Sequence, residues 1–355
     1  MAKITFNNKT SPFFEALKVR VDHYFSSNDL KPSGNIKLYA KTIILALAAI
    51  SFYTILVFFT PSIWFSLILC CLFGINLAAI GFNVMHDGAH GSFSRKKWVN
   101  ELMAYSLNAM GGNSYIWKNK HNINHHTYTN IEGMDDDIDI QPWIRVHDEQ
   151  PKYWFHRFQH IYWIVLYGTT YLLWVYVKDF TKYFSGKIGE SNFRKMNVKE
   201  HIVFWVSKLT YVSVFIGFPI YQVGLGETLL GYGIIAFVCG LVISVVFQLA
   251  HVVEDVQFPV SVGTTNKMEN EWAVHQVLTT ANFATKSKSI SWLVGGLNFQ
   301  VEHHLFPKIS HIHYPQISKL VKETCKQFDV AYNEYPTLLS ALRSHVIHLR
   351  HVGLN

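Results

Sequence analysis

Eight of the nineteen histidines fall into groups whose spacing suits metal chemistry: His86 and His90 in H-D-G-A-H, His121, His125 and His126 in H-N-I-N-H-H, a single His251, and His303 and His304 in Q-V-E-H-H, with Gln300 one turn ahead. Imidazole is the commonest protein ligand for iron, copper and zinc near neutral pH. His86 and His90 are four residues apart, as are His121 and His125, so on a helix each pair shares a face. His126 is displaced by about 100° on the same turn and can address a neighbouring ion. Eight imidazoles exceed what one ion holds, and the spacing predicts a two-metal site. Cysteine adds nothing to it. Cys70, Cys71 and Cys239 lie in apolar runs, Cys325 lies in a polar tail, and no CxxC spacing occurs. A nitrogen-rich set of this kind fits iron, copper or zinc better than magnesium or calcium. A bis-haem arrangement would need paired histidines inside apolar segments, and those segments are nearly free of histidine.

The elements that must position these rings are membrane helices. Half of the 355 residues are apolar and 15% are charged, a balance suited to a polytopic membrane protein. Thr42 to Met85 is a run of 44 residues without charge, enough for two helices of about 20 residues across a bilayer core of about 30 Å. Pro61 and Ser62 divide it. The expected spans are 42–60, 63–84, 202–222 and 228–250, with Lys208 in the third snorkelling to the interface. The apolar, aromatic stretch 161–177 joins two basic stretches, 95–120 and 178–200. Both basic stretches belong in the cytoplasm by the positive-inside rule, so 161–177 is expected to lie at the interface or to re-enter rather than cross. Both termini and every histidine group then fall on the cytoplasmic side. The net charge of +7 follows from that topology. Without an accompanying basic-aromatic module it does not indicate nucleic acid. The chain divides into a cytoplasmic segment 1–41, without a cleavable signal, and one membrane domain 42–355. Within the first, residues 11–25 form an amphipathic pattern expected on the membrane surface.

The three boxes, with their order and spacing, resemble those of the membrane fatty acid desaturases from about Phe82 to the C-terminal region, and G-G-L-N-F-Q-V-E-H-H-L-F-P (Gly295–Pro307) is highly specific. Gln300 in place of the first histidine of the third box, and H-H-T-Y-T-N around His126, are similar to the front-end, linoleoyl-CoA (delta-6) type. The resemblance implies an all-α, four-span membrane enzyme whose cytoplasmic helical cap holds two non-haem irons. It implies that O2 and two electrons are used to insert a cis double bond into a fatty acyl chain carried on CoA or lipid. Carried over residue by residue, the ligands are His86, His90, His121, His125, His126, His251, His303 and His304, with Gln300 as a ninth and Gln248 as a residue orienting a ligand or a water. No catalytic side chain beyond the ligands is implied. Many front-end enzymes carry a fused cytochrome b5 domain with an H-P-G-G motif; that motif is absent here. The expectation is therefore a separate donor, a ferredoxin or a free cytochrome b5, docking on Arg95, Lys96, Lys97, Lys118 and Lys120 if those charges do more than set topology.

Two other functions fit parts of this pattern. A lipid hydroxylase can use the same boxes. A metal transporter or sensor would need ionisable residues within the spans, and they are almost lacking. The remaining polar features have plainer expected roles. Asp135, Asp136, Asp137 and Asp139 read as a solvated loop, His156 and His160 as interfacial residues, and His311 and His313 as caps or headgroup contacts.

Overall fold

The computed structural model describes residues 4–8, 11–189, 191–193, 195–259 and 267–355, with the side chain of Ser191 left aside. Four helices are long and apolar enough to cross a bilayer: Ile36–Phe59, Ile63–His90, Val198–Val223 and Leu225–His251, the first to fourth spans below. The Asn35 side chain caps the start of the first by accepting from the Lys37 amide, a common way to satisfy a free N–H at a helix start. Thr60, at φ 41°, and Pro61 break the chain between the first two spans, and Gly224, at φ 98°, turns it between the last two.

The second span is longer than expected, and the reason bears on the site. Its 28 residues extend about 42 Å at 1.5 Å per residue, well beyond a hydrocarbon core of about 30 Å. The surplus at the His90 end is polar sequence that continues as helix. It passes through a π-helical turn, Gly81–Met85, into His86–His90. The fourth span likewise ends on His251.

Close helix approach sets the frame. A Cβ on Gly240 of the fourth span would lie 2.6 Å from the Gly168 carbonyl, and one on Gly74 of the second would lie 2.7 Å from the Ile235 carbonyl. Only small residues permit such contact between membrane helices. Gly168 belongs to Gln159–Leu173, which buries Trp163, Tyr167 and Tyr171 and is not one of the four apolar spans.

The polar part of the chain caps one end of this bundle. Pro12–Ser27 packs on Tyr314–Gln327, with Phe13, Leu17 and Val21 buried among Val277, Leu305, Ile317 and Val321. The apolar face of this helix, expected on the membrane surface, is instead spent inside the cap. Among the described residues two short strand pairs occur, an antiparallel one between Lys187–Ile188 and Ser191–Asn192 and a parallel one between Asn282–Phe283 and Glu334–Tyr335.

Lys208 does not snorkel. Its Nζ is buried and donates to Asp179 Oδ2 at 2.8 Å and to the carbonyls of Gly111 and Val175, because Asp179, which also accepts from Trp174 Nε1, stands within reach. Removing one partner of a buried pair strands the other charge, at a cost of about 3–5 kcal/mol, whereas removing both is often close to neutral. Lys208→Met should therefore lower the thermal unfolding midpoint in detergent clearly. The double variant Lys208→Met with Asp179→Asn should recover most of that loss, and equal midpoints for the single variant and the parent would contradict the pairing.

Candidate metal centre

Each histidine group arrives on its own element. His86 and His90 project from the cap end of the second span, where their rings lie 4.6 Å apart. His121 and His125 occupy a π-helical stretch, Asn119–His125, a geometry often found at functional sites. Their rings stack at 4.9 Å while His126 turns nearly perpendicular to His121, at 89°. Asn122 ties this stretch to the second span by donating to the Ala89 carbonyl, and Asn130 ties it to the fourth by donating to the His251 carbonyl. His303 and His304 sit on Gln300–Leu305. The preceding glycines bring that helix in: Gly295, at φ 60°, lies where a Cβ would be 2.5 Å from the Phe82 carbonyl. Glu302 points the other way, accepting from Asn282 Nδ2 at 2.7 Å and Tyr332 Oη at 2.8 Å, and so fixes the rotation of the helix.

Two adjacent nests result. Ring nitrogens of His86, His90, His121 and His303 all lie within 4.8 Å of one another, as do those of His125, His251 and His304. His126 stands at the seam, grouped with His303 and His304 and 4.8 Å from His90 between ring centres. Metal–nitrogen bonds of about 2.1 Å put ligand nitrogens about 3.0–4.2 Å apart, so the first nest is of a size that can draw in round one ion. Gln300 belongs to the second nest. Its amide nitrogen is 3.0 Å from His251 Nε2 and 3.3 Å from His304 Nε2, and turning the amide over presents its oxygen there instead.

All eight rings and Gln300 are buried. Nε2 of His90, His121, His125 and His303, Nδ1 of His251, and both nitrogens of His126 have no hydrogen-bond partner. Buried polar atoms are nearly always paired, so this cluster of orphans fits metal ions as the missing partners. Burial and the neighbouring imidazoles hold His126, His303 and His304 well below the usual imidazole range. Burial likewise takes His121 down, to about 4, against the upward pull of Asp137. Neutral imidazoles are the ligating form.

The outer nitrogens are held by groups that sequence reasoning missed. Asp137 Oδ2 is 2.8 Å from His121 Nδ1 and Asp135 Oδ2 is 2.9 Å from His125 Nδ1. Gln276 Oε1 lies 2.7 Å from His304 Nδ1, and Tyr314 Oη lies 3.1 Å from His303 Nδ1. Such contacts fix the tautomer and aim the inner nitrogen. The acidic run is therefore not a solvated loop: Asp135 is buried, Asp137 also pairs with Lys120, and Asp136 pairs with Lys182. Its signal was its place, directly after the second box. Gln276, on Trp272–Leu278, left no such signal.

Other expectations need correction too. His311 is buried and meets no headgroup; its Nδ1 is 3.0 Å from Asp87 Oδ2, and its Nε2 is 3.3 Å from Lys41 Nζ. His313 is also buried; it stands at the N-cap of Tyr314–Gln327, as a cap was expected, but makes no side-chain capping bond. His156 is buried and bonds the Pro142 carbonyl. Lys120 turns inward to Asp137, and Lys118 pairs with Glu101 at 2.7 Å, so neither is a free docking charge. Gln248 is buried one turn before His251, and its Oε1 has no partner.

A family model, "Fatty acid desaturase", matches residues 62–336. The chain belongs to the fatty acid desaturase family. It is 38% identical to an acyl-lipid (8-3)-desaturase of Physcomitrium patens, over 96% of this chain and 72% of that protein. It is 36% identical to an sn-1 linoleoyl-lipid 6-desaturase of Arthrospira platensis, over 100% of this chain and 96% of that one. A Synechocystis protein of the same description is 35% identical, over 99% and 98%. The desaturase is thus a membrane oxidoreductase acting on fatty acyl chains, of the front-end type.

Loss of an outer-shell partner typically costs about 10–100-fold in metal affinity. Asp137→Asn and Gln276→Leu should each lower the metal bound per purified desaturase under limiting iron, read by elemental analysis. Full loading of both variants would show that these contacts do not aim the rings.

Proposed function

We propose that His86, His90, His121, His125, His126, His251, His303, His304 and Gln300 hold two non-haem irons in the desaturase, with His126 at the seam. The observation that carries this reading is the pair of adjacent nests of buried imidazoles, in which Nε2 of His90, His121, His125 and His303 has no partner. Bound iron supplies O2-derived oxidising power; the balanced change is R–CH2–CH2–R′ + O2 + 2e− + 2H+ → R–CH=CH–R′ + 2H2O.

The chain's own residues do the positioning. Asp135, Asp137, Gln276 and Tyr314 keep the inner ring nitrogens aimed. Phe82, Met85, Ala89 and Trp117 form the apolar wall beside the first nest, where an acyl chain can lie while water is excluded. The substrate in this reading is an acyl chain of a membrane glycerolipid, and the new double bond lies on its carboxyl side. The support is that relatives covered along nearly their whole length are described as linoleoyl-lipid 6-desaturases. Electrons come from a separate ferredoxin or cytochrome b5, for which exposed Arg95, Lys96 and Lys97 are the charges available for docking.

We place 42–355 as one membrane domain with the cap and both termini in the cytoplasm, because basic residues crowd the segments that join the cap to the spans. Gln159–Leu173 then lies at the interface or re-enters from it. Ile161, Ile164 and Val165 on its exposed face suit contact with lipid.

Expression in a host fed linoleate, followed by mass spectrometry of lipid-bound acyl groups, tests the activity. The expected product lacks two hydrogens relative to its precursor and carries the new double bond on the carboxyl side. A product gaining one oxygen instead would make the enzyme a hydroxylase. His303→Ala and His125→Ala should each abolish product while inserting normally into the membrane, and turnover retained by either would remove that ring from the ligand set.

A further inference from the structure

A chain esterified to glycerol cannot leave the bilayer to reach the metals, because its headgroup stays at the interface. It needs a sideways path through the protein wall. Two hollows supply one. The first is a cavity of about 730 Å3 among all four spans, with Leu56, Phe73, Leu77, Met110 and Tyr171 on its wall. That volume lies within the range of small-molecule sites, about 300–1,000 Å3. Its wall belongs to the same apolar cluster as Phe82, Met85, Ala89 and Trp117, so apolar side chains continue from it to the metal nests.

The second hollow is a groove of about 510 Å3 on the outside of the bundle, between Tyr105–Ala109 and the third span from Ile202 to Phe215. Those fourteen residues of helix measure about 20 Å. The groove therefore starts at the cap end of the span and descends well into the hydrocarbon layer. Ile202, Val206 and Val214 on its banks are exposed, as befits a surface facing lipid tails. Lys199, exposed less than one turn before Ile202, puts positive charge where a lipid phosphate would sit.

Tyr211 and Phe215 line both hollows, so they are the wall between them. Tyr211 is fixed. Its hydroxyl meets Tyr171 Oη at 3.0 Å and Tyr232 Oη at 2.8 Å, and its ring covers Gly111, where a Cβ would come within 2.8 Å. Phe215 has no polar tether. It rests on Tyr211 and Tyr53 at 5.1 and 5.6 Å and rides on the π-helical turn Ser213–Gly217.

We propose that the acyl chain of a membrane glycerolipid enters from the bilayer along this groove, displaces Phe215, and lodges in the cavity among the four spans. The inference rests on the lipid-linked reading of the substrate and adds its route.

The probe is a phosphatidylcholine with a diazirine near the methyl end of its sn-1 chain, placed in vesicles with the iron-loaded desaturase. Photolysis should label the cavity wall at Leu56 and Phe73 as well as the outward face of the first span at Ile43 and Leu47, mapped by peptide mass spectrometry. Thr210→Trp fills the groove from an exposed position. It should cut cavity labelling at least tenfold while leaving labelling at Ile43 and Leu47 unchanged, which also reports correct insertion. Phe215→Ala should raise cavity labelling. Undiminished cavity labelling in Thr210→Trp, or none in the parent, overturns the portal. Labelling of the cavity by a diazirine fatty acid but not by the phospholipid also overturns it. Desaturation is measured in the same vesicles. If the parent takes up the probe but forms no product, the proposed activity fails while the portal stands; if Thr210→Trp desaturates phospholipid as fast as the parent, the portal fails while the activity stands.

Discussion

Desolvated imidazoles with ring nitrogens that no protein group satisfies are the constraint around which this molecule is built. Seven ring nitrogens, on His90, His121, His125, His126, His251 and His303, are buried with no partner. Each such atom carries a desolvation penalty of about 1–3 kcal/mol. A metal site would give these atoms the partners they lack. Protonation would put charge into a crowd of rings held a few ångströms apart; His125 is the exception, where burial is outweighed by Asp135 and Asp137, which push the ring up.

Everything near the cluster serves to keep the rings there. Asp137 and Asp135 hold their imidazoles from behind while Lys120 and Lys182 balance the acidic run. On the opposite side, Asp87 receives Ser310 Oγ and His311. Lys41 of the first span reaches His311, Asn83 and the Trp292 carbonyl. This buried chain joins the first two spans to the segment just before and after the third box. Polar bonds formed away from water have no competitor, so they fix where cap meets bundle more firmly than apolar contact alone.

Much of this was legible from residue spacing. The apolar stretches read as spans coincide with four helices long and apolar enough to cross a bilayer, the third despite Lys208, and the histidine pairs marked elements that converge. The misreadings share one cause. Asp135 and Asp137, His311, Lys120 and Lys208 are polar residues whose exposure was inferred from their type. In each case the partner lies outside the residue's own local pattern, as with Asp179 for Lys208 and Asp87 for His311, and pairing made burial tolerable. Single-residue polarity cannot reveal that a partner waits on another element. The amphipathic Pro12–Ser27 misled similarly: an apolar stripe shows that a face is covered, not whether lipid or Tyr314–Gln327 covers it.

The amino-acid sequence alone determined the family, the membrane character and the set of rings, because these depend on residue type and on spacings within single helices. Tertiary structure alone decided how the rings divide into two nests, that His126 stands between them, that Gln300 joins His251 and His304, and which groups hold the outer nitrogens. Those features depend on where the second and fourth spans end relative to the glycine turn at Gly295 and the π-helical stretch Asn119–His125. Distances between separate elements are set by packing, which no local spacing encodes.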